Sequence, residues 1–566
     1  MLSKRAKILR WAGIIFASWL LMLLLSFSAL IWQLKTNRFS PAVRTSYMAE
    51  VLFAPVRVVT LYSSTDVEAI QKSLVWLRSS VHFMEQSRAY AKVFWMESAP
   101  LAERQAKTLS WQQGAWNWLD DTTQFSELIK KSHFYGFVPE DKKQFLEPQL
   151  FADAKSFLTE LSTGQKAWLI LFQNTDELRA TGGFMGSYAR ISFSEGMLVD
   201  FEIQDIYQPD GQFKGFVAAP KGVTEFLSSG KGMRLPDANW WSDFPRSAQT
   251  ILQYFAFGKE QRIMGVVAVN LQLAEDVLRV FGPVVLSDYD VTVTADNISR
   301  VARADRVDFF PGSKQKAHFL TLLFNQIKLR AETAEPEKLA QLLKLWHARL
   351  ATKDWQWYSP NETLQQISQR YGFSGAVSIP TGDTLFFESV ESNVGINKAN
   401  AGITRTVDIQ LLPTQIQVLM QFTNHQAKPI ISTAELRPDL VAGRSELQNG
   451  LGYVNYQRFL ISPYLKVVSI FVGDQSITNW DEETIVLSGV TLKQVGFVMA
   501  IPEASKQRVQ AVFELDGAQA PVTNLLNLPS LTLEKQAGLP ATPYEVFWAG
   551  QRRSFVLEND ITLPLQ

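Results

Sequence analysis

The apolar positions of this chain come in blocks of different period. The first block is unbroken: Trp11 to Leu34 carries no charge and contains the run Trp19 to Leu25. Twenty-four helical residues rise about 36 Å, enough to cross a hydrocarbon core of ~30 Å with some tilt. Lys4, Arg5, Lys7 and Arg10 precede the run, and only Lys35 and Arg38 follow it closely. That bias predicts a single-pass helix at 11–34, a cytoplasmic tail at 1–10, and the bulk of the chain outside the cytoplasmic membrane. A cleaved signal peptide is the competing expectation. The stretch is longer than a usual signal core, and the small-residue site around Ser26 and Ser28 is followed by more apolar residues.

From 45 to 163 the period is helical. Val67, Ile70, Leu74, Leu77, Val81 and Met84 recur at spacings of three and four, with Asp66 placed as an N-cap. Near 165 the pattern changes. Ala167 to Phe172 is a short apolar run that reads as a buried strand, and Ser187–Phe193 and Leu198–Ile203 alternate around a turn at Ser194-Glu195-Gly196. Gly265–Val269 reads as another strand, Leu271–Phe281 as a helix stopped by Gly282-Pro283, and Lys316–Leu329 and Glu337–Leu350 as helices. Strands and helices interleaved in this way predict an α/β domain with a mixed sheet over 165–400. From 405 to 566 the runs are strand-length, as at Val407–Leu412, Ile416–Phe422 and Val509–Leu515, and predict an all-β, sandwich-like domain.

Composition narrows the function classes. Lysine plus arginine equal aspartate plus glutamate at 55 each, so no overall field draws the chain to nucleic acid. Cysteine is absent, which excludes disulfides, thiolate metal sites and cysteine nucleophiles. The phosphate-loop, nucleophile-elbow and zinc-protease patterns are also missing, and the five histidines lack ligand spacing. What remains is polar and central. Asn174, Glu177 and Arg179 follow a buried strand, at the end where open sheets present ligand crevices. Gly182 and Gly183 permit close backbone approach. Asp205 ends the hairpin, and Asp237, Asn239, Trp240, Asp243 and Arg246 crowd into ten residues. Arginine suits phosphate oxygens, carboxylates suit Mg²⁺, and tryptophan faces suit sugars or a lipid interface. The same residues also read as caps, turns and core; Asp243 in particular fits the start of a helix ending at Phe257.

The segment Phe172-Gln-Asn-Thr-Asp-Glu-Leu-Arg-Ala-Thr-Gly-Gly-Phe-Met-Gly-Ser187 resembles the signature of the DUF4012 family. So do Asp237 to Pro245, the Gly282-Pro283 step, Ser392 to Lys398 and Tyr453 to Arg458. This resemblance implies an anchored extracytoplasmic protein of bacteria that build surface polysaccharide. More remotely, the strand, hairpin and aspartate order resembles the LytR-CpsA-Psr phosphotransferases. Those enzymes transfer glycopolymers from a polyprenyl pyrophosphate to peptidoglycan with Mg²⁺. That likeness implies Arg179 as a pyrophosphate-binding arginine and Asp205 as the aspartate after the second hairpin strand, both catalytic. The chain departs from the pattern: Gln204 stands where those enzymes have arginine, and the Thr181-Gly182-Gly183 turn replaces an aspartate. Arg246 or Arg190 would then have to supply the missing charge.

Two expectations follow. One is a membrane-anchored phosphotransferase-like protein handling a polyprenyl-pyrophosphate-linked glycopolymer. The other is a non-catalytic envelope binding or assembly protein whose partner is a glycan, peptidoglycan or an envelope protein. Convergence of Arg179, Asp205, Asp237 and Arg246 within one ligand's width favours the first, and dispersal favours the second.

Overall fold

The computed structural model describes residues 64–94, 99–228, 230–258, 262–303, 315–378, 384–426, 452–517 and 520–565. The expected membrane span at 11–34 and the tail before it lie outside these residues. No helix among the described residues is long and apolar enough to cross a membrane. The chain has an N-terminal helical region, a central mixed α/β sheet and C-terminal β-rich sheets. It divides into two units: residues up to Gln165 with the hairpin tip Phe193–Val199, and Lys166–Ser192 with Asp200 onward.

In the first unit, α1 (Ser64–Phe94) runs antiparallel to α2 (Leu101–Lys131), and α3 is Pro148–Ser162. Three stacked aromatic pairs join α1 to α2: Trp76 on Phe125, Phe83 on Trp118 and Tyr90 on Trp111. The rungs are seven residues apart on both helices, so each falls on the same face two turns further along. Every tryptophan in the ladder also donates its indole N–H to a hydroxyl on the facing helix: Trp76 to Thr122, Trp118 to Ser80 and Trp111 to Ser87. Asp66 is the third residue of α1 rather than its cap, and its carboxylate accepts the His133 backbone N–H at 2.9 Å.

In the second unit the central strands are β1 (Gln165–Asn174), β2 (Phe184–Ser194), β3 (Met197–Asp205) and β4 (Ile263–Asn270). Helix α4 (Phe244–Phe257) precedes β4, and α5 (Leu271–Phe281) follows it directly. A short pair, β5 (Val284–Leu286) and β6 (Val291–Val293), leads to α6 (Gln315–Glu332), α7 (Pro336–Ala351) and β7 (Trp355–Tyr358). The sheet order is β3-β2-β1-β4-β7, with β1 and β4 parallel and β7 antiparallel to β4. Parallel neighbours need covered faces, which explains the continuous apolar run in β1.

The β-rich part begins at β8 (Thr384–Asn393), β9 (Ile403–Leu411) and β10 (Gln415–Asn424). Then come β11 (Tyr453–Ile461), β12 (Leu465–Val472), β13 (Gln475–Ile477), β14 (Asp481–Leu487), β15 (Val490–Ile501) and β16 (Lys506–Leu515). The last strands are β17 (Ser530–Glu534), β18 (Thr542–Trp548), β19 (Gln551–Leu557) and β20 (Ile561–Pro564). They form a six-stranded sheet, β14-β15-β11-β8-β17-β20, and a seven-stranded one, β13-β12-β16-β10-β9-β18-β19. Leu385, Phe387, Ile409, Phe422, Phe459 and Phe513, drawn from both sheets, share one core.

The other face of the six-stranded sheet is also covered. Val454 and Tyr456 of β11 join Leu169, Trp240, Phe244 and Val266 in a second core. Phe386 and Val390 of β8 pack with Ala180. Strands β8 and β11 are therefore buried along their whole length, although they carry Glu388, Glu391, Asn393, Asn455, Gln457 and Arg458. Polar groups so placed need partners within the protein.

Candidate functional site

The residues after β1 fold back on themselves. Asn174 Oδ1 accepts the Asp176 N–H at 3.0 Å, and the Asn174 carbonyl accepts the Glu177 N–H at 3.2 Å. This turn delivers Arg179 to the interior, where 1% of the residue is exposed. Its guanidinium donates to the main-chain carbonyls of Asn393, at the end of β8, and Leu178. It lies 3.4 Å from Glu177 Oε1 and 3.6 Å from Asp237 Oδ1, and stacks over Phe184. Burial raises the Asp237 carboxyl to about 6 against the pull of Arg179, with Glu177 and Asp210 adding to the rise. Burial and the charges of Asp237, Glu177 and Asp205 likewise push up the Tyr207 hydroxyl. One arginine thus faces several carboxylates whose combined charge exceeds its own.

The glycine pair has an internal partner. Thr181 bridges to Ala537, and a side chain on Gly538 would sit 2.1 Å from the Gly182 carbonyl oxygen. A side chain on Gly183 would meet the Asn174 carbonyl at 2.3 Å. The close approach expected for a ligand is made by the chain's own segment after β17. Gln536 extends the contact, its amide donating to the carbonyls of Arg179 and Glu391 and accepting the Glu391 N–H. Gln356 donates to the Thr181 carbonyl, and Gln173 and Asn239 to its hydroxyl.

The other expected site residues divide between this joint and separate places. Asn239 also donates to the Gly183 carbonyl at 2.8 Å. Trp240 is fully buried beneath the Arg458 guanidinium, which donates to the Trp240 carbonyl at 2.7 Å and to Ser392. Asp243 caps α4 through the Arg246 N–H and also accepts from the Val377 N–H and the Ser488 hydroxyl. Asp205 accepts the Tyr207 N–H at 2.9 Å. Asp210 is paired with Arg234. Arg246 stacks on Trp241 and reaches the Val486 carbonyl, while Arg190 bonds Ser192 and lies 3.8 Å from Asp200. Arg179, Glu177 and Asp237 converge, with Asp205 beside Tyr207 at their edge. The contacts given above for Arg246 and Arg190 lie apart from that group. Among the described residues no group of three or more histidines, aspartates or glutamates is arranged to hold a metal ion. Arg179 already sits against Glu177 and Asp237, so this pair of carboxylates does not fit the Mg²⁺ expected with a pyrophosphate.

Two further buried ionic groups lie along β8. Glu391 is paired through both oxygens with Arg405 and accepts the Tyr453 hydroxyl at 2.7 Å. Glu388 accepts the Ser242 hydroxyl at 2.9 Å and is raised to about 7, chiefly by burial. Lys353 bridges Glu534 and Asp560.

An open feature lies at the carboxyl ends of β1 and β4, where the sequence pattern expects a ligand crevice, but Asn174, Glu177 and Arg179 are not in its lining. It is a cleft of about 530 Å³, bordered by Thr175 and Asp176 after β1, Gln272 in the first turn of α5, and Thr352 and Asp354 before β7. Lys535 and the Gly538-Leu539-Pro540 segment close its far side. Its residues come from segments over 350 positions apart, so no local motif marks it.

Residues 163–306, from β1 through the short β5–β6 pair, match the model of a family described as "Protein of unknown function (DUF4012)". No curated protein matches the chain. Among solved structures, one described as a putative nutrient binding protein from Legionella pneumophila subsp. pneumophila str. Philadelphia 1 is 7% identical, with a TM-score of 0.18. The match covers 29% of this chain and 54% of that one, so the chain spans about half of that protein's length. A likeness at that score carries no argument about fold or ligand. The remote resemblance to LytR-CpsA-Psr phosphotransferases has no counterpart among these matches.

Proposed function

We propose that this chain is a non-catalytic binding and assembly protein of the bacterial cell envelope, held at the cytoplasmic membrane by residues 11–34 with its bulk outside. The observation that carries this reading is the state of Arg179. Its guanidinium is buried, bonded to the chain's own carbonyls and paired with Glu177 and Asp237. Pyrophosphate binding and phosphoryl transfer require exposed positive charge arranged around the phosphates. Here the surrounding carboxylates outnumber the arginine, and a pyrophosphate would have to displace buried protein to reach it. The same residues are well suited to joining the α/β layer to the β-rich sheets, which supports a rigid surface for holding a partner glycan or protein.

The test is a turnover assay. Full-length protein is incubated with a polyprenyl-pyrophosphate-linked glycan, Mg²⁺ and peptidoglycan, and the lipid-linked pool is followed with time. No transfer above the protein-free rate is expected. Transfer that is lost in Arg179→Ala at unchanged folded fraction would contradict the proposal. Protease digestion of the bulk in intact spheroplasts tests the topology, and full protection there would remove the envelope assignment.

A further inference from the structure

The cleft beyond β1 and β4 holds a cation that forms no ion pair with any carboxylate among the described residues. Two of its cations are matched. Arg349 is bonded to Asp276 through Nε and Nη2 and lies 3.3 Å from Asp354, and Arg405 is clasped by Glu391. Lys535 is different. It is 4% exposed, and its ammonium donates only to two main-chain carbonyls, those of Thr352 at 3.0 Å and Gln536 at 3.2 Å. No carboxylate among the described residues forms an ion pair with it. Three donors on an ammonium and two carbonyl partners leave one donor unmatched. A buried cation in that state favours an anion beside it.

The rest of the wall is mixed. Thr175, Thr352 and Asn400 line it beside Leu178, Ile403 and Leu539, and Gln272 Oε1, shut off from solvent, has no donor among the described residues. Two of the cleft's carboxylates are engaged, Asp354 accepting from Asn270 and Thr352 and Asp176 from Ser299, while the third, Glu558, is exposed at the wall. The first turn of α5, eleven residues long, also borders the cleft, and helix N-termini favour negative charge. The volume falls within the ~300–1,000 Å³ usual for small-ligand sites.

We infer that this cleft binds an acidic sugar, with Lys535 holding the oxyanion, carboxylate or phosphate, and the amide and hydroxyl side chains holding the ring hydroxyls. This rests on the reading of the chain as a binding module and gives that module a ligand class. Burial pushes the Lys535 ammonium down to about 8, partly offset by Asp354, Asp560 and Glu558 and reinforced by Lys353. These groups, with Arg349, Arg405 and Asp176 across the cleft, complete the charges that face it. Oxyanion affinity should therefore fall as pH rises past 8, because the lysine then loses its proton.

The test is calorimetric titration of the full-length protein with glucuronate, glucose 1-phosphate, inorganic phosphate and glucose. At least one acidic sugar should bind more tightly than phosphate or glucose, and which one does identifies the oxyanion. Lys535→Met should weaken it by about 10- to 100-fold, the loss of one charge-assisted hydrogen bond. Because a buried lysine-to-methionine change alters stability, Ala541→Trp, an exposed residue at the cleft wall, serves as the second variant. It should abolish binding by filling the space. Equal affinity for glucose, binding of phosphate alone, no binding at all, or an unchanged affinity in either variant would overturn the inference. Turnover of the lipid-linked glycan, assayed on the same preparation, counts against the non-catalytic reading and leaves these affinities to decide the cleft.

Discussion

Replacing Arg179 with methionine keeps most of the apolar stem and removes only the charged head. The structure sets the scale. The change deletes the hydrogen bonds to the Asn393 and Leu178 carbonyls and leaves Glu177 and Asp237 without their shared cation. Breaking a buried pair from one side costs about 3–5 kcal/mol. Asp237 keeps 15% side-chain exposure and already holds its proton up to about 6, so part of that cost is relieved in acid. The expected loss is about 3 kcal/mol at pH 8 and about half that at pH 5. Urea unfolding of the full-length protein at both pH values measures it. Hydrogen exchange on peptides covering 172–187, 391–400 and 534–540 then shows whether protection falls together across the joint. A loss under about 0.5 kcal/mol at pH 8, the range of ordinary surface substitutions, would refute the reasoning. So would an equal loss at the two pH values.

Other consequences follow from the same contacts. Between about pH 4 and pH 6 the folded state binds the Asp237 proton more tightly than the unfolded chain, so stability declines as pH rises through that window and then levels off. Asp237→Asn should remove the decline, on the order of 3 kcal/mol before allowance for the residual exposure; parallel pH profiles for the two proteins would contradict this. Gly538→Ala places a methyl against the Gly182 carbonyl at φ +76° and should cost about 2–4 kcal/mol. Gly550→Ala, at φ +79° with open space around it, should cost about 1 kcal/mol, so similar midpoints in urea would dismiss the close approach. Arg405→Leu should lose about 3–5 kcal/mol by stranding Glu391, and adding Glu391→Leu should recover much of it. A double variant no better than the single one counts against that pairing.

Local pattern made much of the fold legible. The apolar run Ala167–Phe172 lies inside β1, Gly265–Val269 lies inside β4, and Leu271–Phe281 is α5 with the expected stop. Strands β8 and β11 were harder to read, because glutamates, asparagines and an arginine interrupt their apolar residues. Those side chains are buried on a sheet covered on both faces, and their partners lie far along the chain. The parallel pairings of β17 with β8 and β18 with β9 leave no periodic trace either. The polar islands around Arg179, Asp237, Ser392 and Tyr453 stood out in the sequence, and the structure brings them close together. Their chemistry was ambiguous in the sequence because buried ion pairs and phosphate sites draw on the same residue types. The approach of Gln536 and Gly538, more than 350 residues after Arg179 and Gly182, leaves no trace in the local pattern.

Amide exchange across 172–187 in the full-length protein, with and without a short-chain polyprenyl pyrophosphate and Mg²⁺, tests the joint most directly. If this segment is an internal seam, its amides are slow before any addition and stay at the same rate afterwards. Fast exchange in the free protein, slowed when the pyrophosphate is supplied, would mean that the segment awaits a ligand and that the seam is wrongly assigned.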